Sequence, residues 1–412
     1  MARMFLGTWG MLVILAGNAL ALEAVGTIKR VDAEKNIIIV FAGGQDRTLK
    51  ADKNLKVLDE KGNALQEGLK STELKEGATV TITVQRMNRE LILEQLRLGG
   101  VARQRRPGGN DPRRKSGERL GYKPLNEMTA DEKYLGEEGG LYGGGKNVPP
   151  AEHQAAAEKE TAQIVPRDRD GQPAEDGKIV LISISMSNWT QEFSTFKQIA
   201  DRDPDKSPLV TIVDCAQGGQ TMARWADAQA NPWSVAERRL TQAGVTPAQV
   251  QVAWIKIANA GPRGELKQHG KRLQQDTVAV VQNARARFPN LRIVYLESRI
   301  FAGYGTGGLN PEPYAYEGAF VVRWLIQDQI NGDKELNFDP DRGAVKAPLL
   351  LWGAYLWGDG LTPRQSDGLV WKREDLGGDG THPSQTGRRK VAELLLKFCK
   401  TDANVKSWFM KK

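Results

Sequence analysis

The rhythm of apolar and polar positions changes once along the chain, near residue 178. Between residues 22 and 98, short apolar runs alternate with polar residues, as in Val25-Gly26-Thr27-Ile28, Ile37-Ile38-Ile39-Val40, Thr79-Val80-Thr81-Ile82-Thr83-Val84 and Leu91-Ile92-Leu93-Glu94-Gln95-Leu96. Polar turns at Asp32-Ala33-Glu34-Lys35 and Met87-Asn88-Arg89 separate these runs at hairpin spacing. Short strands so spaced predict a small all-β barrel of the OB or SH3 type. Beyond residue 178 the apolar runs become nearly continuous, at 178–184, 209–213, 250–257, 291–296 and 348–352. Helical patterns lie between them at 189–200, 263–288 and 314–330. Strands apolar on both faces and alternating with helices predict an α/β unit, a three-layer α/β/α sandwich around a central parallel sheet. In such sheets the working site lies at the carboxyl ends of the strands.

Residues 99–177 have no sustained period and read as a basic Gly/Pro linker followed by a partly ordered extension, with a short helix near 153–164. Arg103, Arg105, Arg106, Arg113, Arg114, Lys115 and Arg119 cluster there and account for much of the net charge of +8. Without interleaved aromatic residues to stack bases, this cluster reads as a solvated linker and not as a nucleic-acid surface. Ahead of the barrel, Arg3, the apolar residues 11–16 and Ala19-Leu20-Ala21 form a cleavable signal pattern over 1–21. The apolar run is shorter than the roughly 20 residues that a membrane span needs, so the pattern predicts a secreted or periplasmic protein. Export permits disulfides, yet Cys215 and Cys399, the only two cysteines, fall where buried strand or helix residues are expected and read as free thiols.

The strand ends carry the candidate chemistry. The first is followed by Ser185-Met186-Ser187-Asn188, the second by Asp214-Cys215-Ala216-Gln217-Gly218-Gly219, and the third by Ala258-Asn259-Ala260. The last helix is preceded by Asp379-Gly380-Thr381-His382-Pro383. These blocks, over residues 178–398, resemble the SGNH (GDSL-type) hydrolases, in a divergent exported bacterial branch with a Met-Ser-Asn first block. The resemblance implies a flavodoxin-like sandwich and a serine esterase or acyl hydrolase in which Ser187 is the nucleophile, His382 the base and Asp379 the acid. It further implies an oxyanion hole from Ser187, Gly219 and Asn259. Two blocks depart from the family pattern: Gly-Asp-Ser is here Ser185-Met186-Ser187, and Gly-x-Asn-Asp is Ala258-Asn259-Ala260. The chemistry is coherent, since a serine hydroxyl is a weak nucleophile until an adjacent histidine takes its proton. Taken singly, the same residues also suit plain structural uses, Ser187 as a helix cap, Asp379 in a turn and Thr381 as a second cap.

After the fourth strand, the polar and aromatic stretch 297–317 should overhang the site. Arg299, Tyr304 and Glu312 are its candidate substrate contacts, for a small-molecule or polysaccharide ester such as an acylated carbohydrate. Lys256 inside the third strand is an unexpected charge. His153 reads as a surface residue. No metal-ligand set, phosphate loop or other cofactor motif is present in the sequence, and oligomeric state is not legible. The alternative function is a non-catalytic SGNH-like domain that binds carbohydrate or an envelope component.

Overall fold

A computed structural model of the chain describes residues 22–42, 45–60, 62–87, 90–99 and 113–411. The signal pattern at 1–21, part of the turn at Met87-Asn88-Arg89, and Arg103, Arg105 and Arg106 lie outside the described residues. The chain divides into two compact units, Met1–Pro107 and Gly108–Lys412.

In the first unit, β1 (Leu22–Asp32), β2 (Ile37–Ala42), β3 (Gln45–Leu58), β4 (Thr79–Met87) and β5 (Glu90–Leu98) close a barrel in the order β1-β2-β3-β5-β4. All pairs are antiparallel except β3 with β5, which selects the OB-type alternative among the two expected barrels. The period-two pattern explains the closure. Ile38 and Val40 point into the barrel while Ile37 and Ile39 sit at its surface, and Ile28, Leu49, Val57, Val80, Ile82, Leu93 and Leu96 complete one apolar core. Register breaks at Ile28/Arg30 and Ala51/Lys56 bend the strands, as bulges do in small barrels. Residues 22–99 contain no histidine, tryptophan or cysteine.

The second unit contains α1 (Ala151–Ala162), β6 (Ile179–Ile184), α2 (Ser187–Ala200), β7 (Val210–Asp214), α3 (Met222–Trp225), α4 (Asn231–Gln242) and β8 (Val250–Lys256). It continues through α5 (Leu266–Arg287), β9 (Ile293–Glu297), α6 (Tyr314–Ile330), β10 (Leu349–Trp352), α7 (Gln385–Thr401) and α8 (Ala403–Phe409). The five strands are parallel, in the order β10-β9-β8-β6-β7, and β6, β8, β9 and β10 are buried throughout. Helix α2 packs on α7 and α1 on α8, whereas α5 packs on α6 and α3, giving the three-layer sandwich expected from the sequence. Trp189, Phe193 and Phe196 form the buried stripe of α2 and surround Trp254 of β8. Removing one such aromatic typically costs about 3–5 kcal/mol. Strand order reverses between β6 and β8, so the crevice at their carboxyl ends is the topological switch point where ligands of open α/β sheets bind.

Over 99–177 the sequence predicts a basic linker followed by a partly ordered extension with a short helix. That helix is α1, and the described residues of the basic stretch, from Arg113 on, are bonded into the second unit. Lys115 N donates to Glu312 O at 3.0 Å and Gly117 N to Gly303 O at 2.9 Å. The amides of Leu120 and Gly121 close on the two oxygens of Asp359 at 2.8 and 2.9 Å, and Tyr122 stacks on Tyr316 with ring centroids 4.8 Å apart. Backbone bonding of this kind leaves no periodic trace in the side chains. His153 is also buried rather than exposed, with Nε2 donating to Leu350 O at 2.9 Å. Both cysteines are free and buried. Among the described residues no helix is long and apolar enough to cross a membrane.

Candidate functional site

Ser187 opens α2 immediately beyond the end of β6. Met186 holds an extended backbone at the N-cap position (φ −103°, ψ −168°), so strand passes to helix within two residues. Ser185 stays buried and donates to Lys256 O of the neighbouring strand, which fixes the floor of this turn. As a first-turn residue, Ser187 has an amide with no acceptor within its own helix, and its side chain is only part-buried.

The Asp379–His382 loop reaches the same point from the far end of the chain. Its shape depends on Gly380, whose φ is +63° and where a Cβ would lie 1.9 Å from Tyr304 O. Only glycine accepts both that conformation and that approach. Asp379 Oδ1 then accepts the amides of Thr381 and His382, each at 3.0 Å. Asp379 Oδ2 lies 2.6 Å from His382 Nδ1. The other ring nitrogen, Nε2, stands 2.7 Å from Ser187 Oγ. Burial by itself would raise the Asp379 carboxyl, but hydrogen bonds from the His382 ring and the two amides outweigh it and hold the group well below the usual carboxylate range. Helix α7 is capped by Ser384, which accepts from Gly387 N, rather than by Thr381.

Beyond β7 the chain turns back at Gln217–Gln220, closed by Gln220 N donating to Gln217 O at 3.2 Å. Gly219 takes φ +76° in this turn, and a Cβ at Gly218 would lie 4.0 Å from that of Ser187. The turn is therefore beside Ser187, with both glycines exposed. Asn259, the third donor expected from sequence, is committed elsewhere. Its Nδ2 donates to Asp276 Oδ2 at 2.6 Å and its Oδ1 accepts from Ala223 N at 2.9 Å. With Ala258 O accepting Met222 N, this segment secures α3 to the loop after the central strand β8.

The expected substrate contacts separate in the same way. Arg299 is 2% exposed and donates from Nη2 to Thr381 O at 3.3 Å. Glu312 is fully buried and accepts from Ala302 N, Tyr316 N and Trp357 Nε1 at 2.9 Å each. Both are expected from sequence to reach substrate, and both are instead buried, Glu312 with internal donors on each carboxylate oxygen and Arg299 bonded to the Thr381 carbonyl. Burial pushes the Glu312 carboxyl up to about 7, in spite of those three donors and the Arg299 charge. Tyr304 is the half-buried member of the set, its hydroxyl donating to Trp371 O at 3.0 Å. Lys256 turns out to be fully buried and paired with Glu192 of α2, with Nζ 4.8 Å above the Trp189 ring. Burial lowers the Lys256 ammonium and raises the neighbouring Glu297 carboxyl well above its ordinary value.

Two residues of this region were not singled out from sequence. Glu192 is a buried carboxylate on an otherwise amphipathic helix, and Lys256 was the only hint of its partner. Asn188 donates from Nδ2 to Thr381 O at 2.7 Å across 193 residues of chain, a relation no local pattern carries. Among the described residues no group of three or more His, Cys, Asp or Glu could hold a metal ion.

The chain matches no family model, and no curated protein matches it. Among solved structures, it is similar to a candidate acylhydrolase from Bacteroides fragilis, at 15% identity and a TM-score of 0.31, over 62% of this chain and 96% of that one. It is also similar to the periplasmic domain of a lipopolysaccharide acetyltransferase from Salmonella ser. Paratyphi A, at 13% identity and a TM-score of 0.29, over 54% of this chain and 84% of that one. A further likeness is to apo-CusF from Escherichia coli, at 13% identity and a TM-score of 0.17, over 22% of this chain and all of that one. Likenesses this distant do not bear on what the site acts on.

Proposed function

We propose that the Gly108–Lys412 unit is a serine hydrolase of the SGNH type that cleaves an ester through Ser187, His382 and Asp379. One observation carries this reading: an unbroken hydrogen-bond chain from Ser187 Oγ through His382 to Asp379, with links of 2.7 and 2.6 Å, at the switch point of a parallel sheet. Asp379 accepts a hydrogen bond from His382 Nδ1–H, which keeps the proton on that nitrogen and leaves the Nε2 lone pair facing the serine hydroxyl. His382 takes the Ser187 proton as Oγ attacks the ester carbonyl, and returns it to the departing alcohol. In the second half His382 takes a proton from water as it attacks the acyl carbonyl, and returns it to Ser187 Oγ as the acid is released.

The developing oxyanion needs preorganised donors. The amides of Ser187 and Gly219 fill that role in this reading, and Asn259 serves as the post that fixes the adjoining segment. A missing donor costs about 2.7–4 kcal/mol in comparable sites, so turnover is expected to be modest. The departing alcohol is read as a carbohydrate, with Tyr304 as the remaining contact, and the signal pattern at residues 1–21 supports an exported protein. The commitment of Asn259, Arg299 and Glu312 to internal partners favours the competing reading, a domain of the same fold that binds without turnover.

Acyl esters of 4-methylumbelliferone and acetylated oligosaccharides, offered to the wild type and to His382→Ala, separate the two. Turnover in the wild type alone supports the hydrolase. Equal background release from both proteins on every ester leaves the binding domain.

A further inference from the structure

We propose that Asn188 and Arg299 are positioning residues that converge on the Thr381 carbonyl and so set the separation of Ser187 from His382. The proposal rests on the hydrolase reading above.

The peptide group between Thr381 and His382 is held at both ends. Its N–H donates to Asp379 Oδ1 at 3.0 Å. Its carbonyl oxygen receives Asn188 Nδ2 at 2.7 Å and Arg299 Nη2 at 3.3 Å. A peptide fixed at both ends sets the direction in which the His382 side chain leaves the backbone, because the unit is planar. Asn188 adjoins Ser187 on the first turn of α2, so the donor and the hydroxyl move as one body. His382 lies just before α7, the helix that packs on α2. The Asn188–Thr381 bond therefore joins the starts of two adjacent helices at the point where their functional groups must meet.

Arg299 adds the second tether from β9's trailing loop. Its guanidinium is fully internal, within the fields of Glu192, Glu312 and Asp379. Its Nε meets no acceptor. A buried cation that leaves one of its own donors unsatisfied is a poor device for stability, which favours a role in holding the loop. Asn188 is 2% exposed and occupies the position after the nucleophile, next to the block where this chain departs from Gly-Asp-Ser.

The test uses the full chain, an acetyl ester of 4-methylumbelliferone, and separate kcat and KM values for Asn188→Asp, Asn188→Ala, Arg299→Lys and Ser187→Ala, with thermal melts on each. Asn188→Asp keeps the shape but turns a lone pair towards the carbonyl. Misplacement by about 1 Å costs on the order of 100-fold, so kcat is expected to fall about 10- to 100-fold in the Asn188 variants. KM should change less than about twofold, because substrate contacts are untouched. The double variant Asn188→Ala/Arg299→Lys should lose less than the product of its singles, since both act on one oxygen. Wild-type kcat in folded Asn188 variants overturns the proposal, as does a loss that merely follows the folded fraction. If neither Asn188 variant folds, unchanged kcat in Arg299→Lys overturns it. Turnover surviving in Ser187→Ala instead overturns the hydrolase reading, whereas loss there beside an intact Asn188→Asp overturns only the positioning role.

Discussion

The second unit contains two histidine–carboxylate pairs of nearly the same geometry and quite different surroundings. His382 Nδ1 meets Asp379 Oδ2 at 2.6 Å, with side chains 26% and 46% exposed. His269 Nε2 meets Glu317 Oε2 at 2.5 Å, with side chains 6% and 0% exposed. Around the buried pair, Arg113 and the Tyr134 hydroxyl both bind Glu317 Oε1, and the Tyr314 ring meets His269 edge-on at 4.7 Å. That carboxylate joins the segment at Arg113 and Tyr134 to α5 and α6, and its capacity is spent on internal donors. The Asp379–His382 pair stands at the strand ends and turns its second ring nitrogen to an accessible serine. A histidine beside a carboxylate is therefore not chemistry by itself; the hydroxyl in front of it and the access to solvent distinguish the two.

Substitution should break the symmetry of the pairs sharply. Ser187→Ala and His382→Ala are expected to lower kcat by at least about 10³-fold, while His269→Gln keeps kcat within about twofold and lowers the melting temperature. Steady-state kinetics and melts on the same preparations check both halves, and equal kinetic losses at His269 and His382 contradict the assignment. Asp379→Asn should cost about 10³–10⁴-fold in kcat, because the amide no longer selects the tautomer with its proton on Nδ1. Glu317→Ala should instead destabilise the fold by about 3–5 kcal/mol, by leaving Arg113 and His269 without their buried partner. Chemical denaturation measures that loss, and the surviving folded enzyme should keep its kcat.

A smaller effect comes from pH. The folded-state value of about 7 for Glu312 lies above the ordinary carboxyl value of 4.5, so the proton is bound more tightly in the folded chain. This contribution to stability is complete below about pH 4 and is lost as pH rises through 7, a change of about 3 kcal/mol. Glu312→Gln should flatten that part of the profile in melts from pH 4 to 8. An unchanged slope contradicts the assignment to Glu312.

Much of the fold was legible because its signals are local. The runs at 178–184 and 250–257 became β6 and β8 within a residue or so, and the pattern at 314–330 became α6 with the same limits. The basic stretch from Arg113 to Gly121 reads as linker because its order comes from backbone bonds to Glu312, Gly303 and the Asp359 carboxylate, which impose no rhythm on side chains. At the site, the strand ends directed attention to Ser187, and the resemblance of its block and of the Asp379–Pro383 block to the SGNH hydrolases is what singles out Ser187, Asp379 and His382. Arg299 and Glu312 are polar residues in a loop, and their burial depends on what folds over them. Asn259 was legible as a strand-end amide, but the acceptor that claims it, Asp276, lies on a helix that periodicity describes only as amphipathic.

The most direct test of the account is covalent capture by a fluorophosphonate, followed by intact-mass and peptide analysis of the full chain. A single adduct is expected on the peptide containing Ser187, lost in Ser187→Ala and slowed strongly in His382→Ala, with His269→Gln labelled at the wild-type rate. No adduct on the folded wild type, or an adduct that persists in Ser187→Ala, contradicts it.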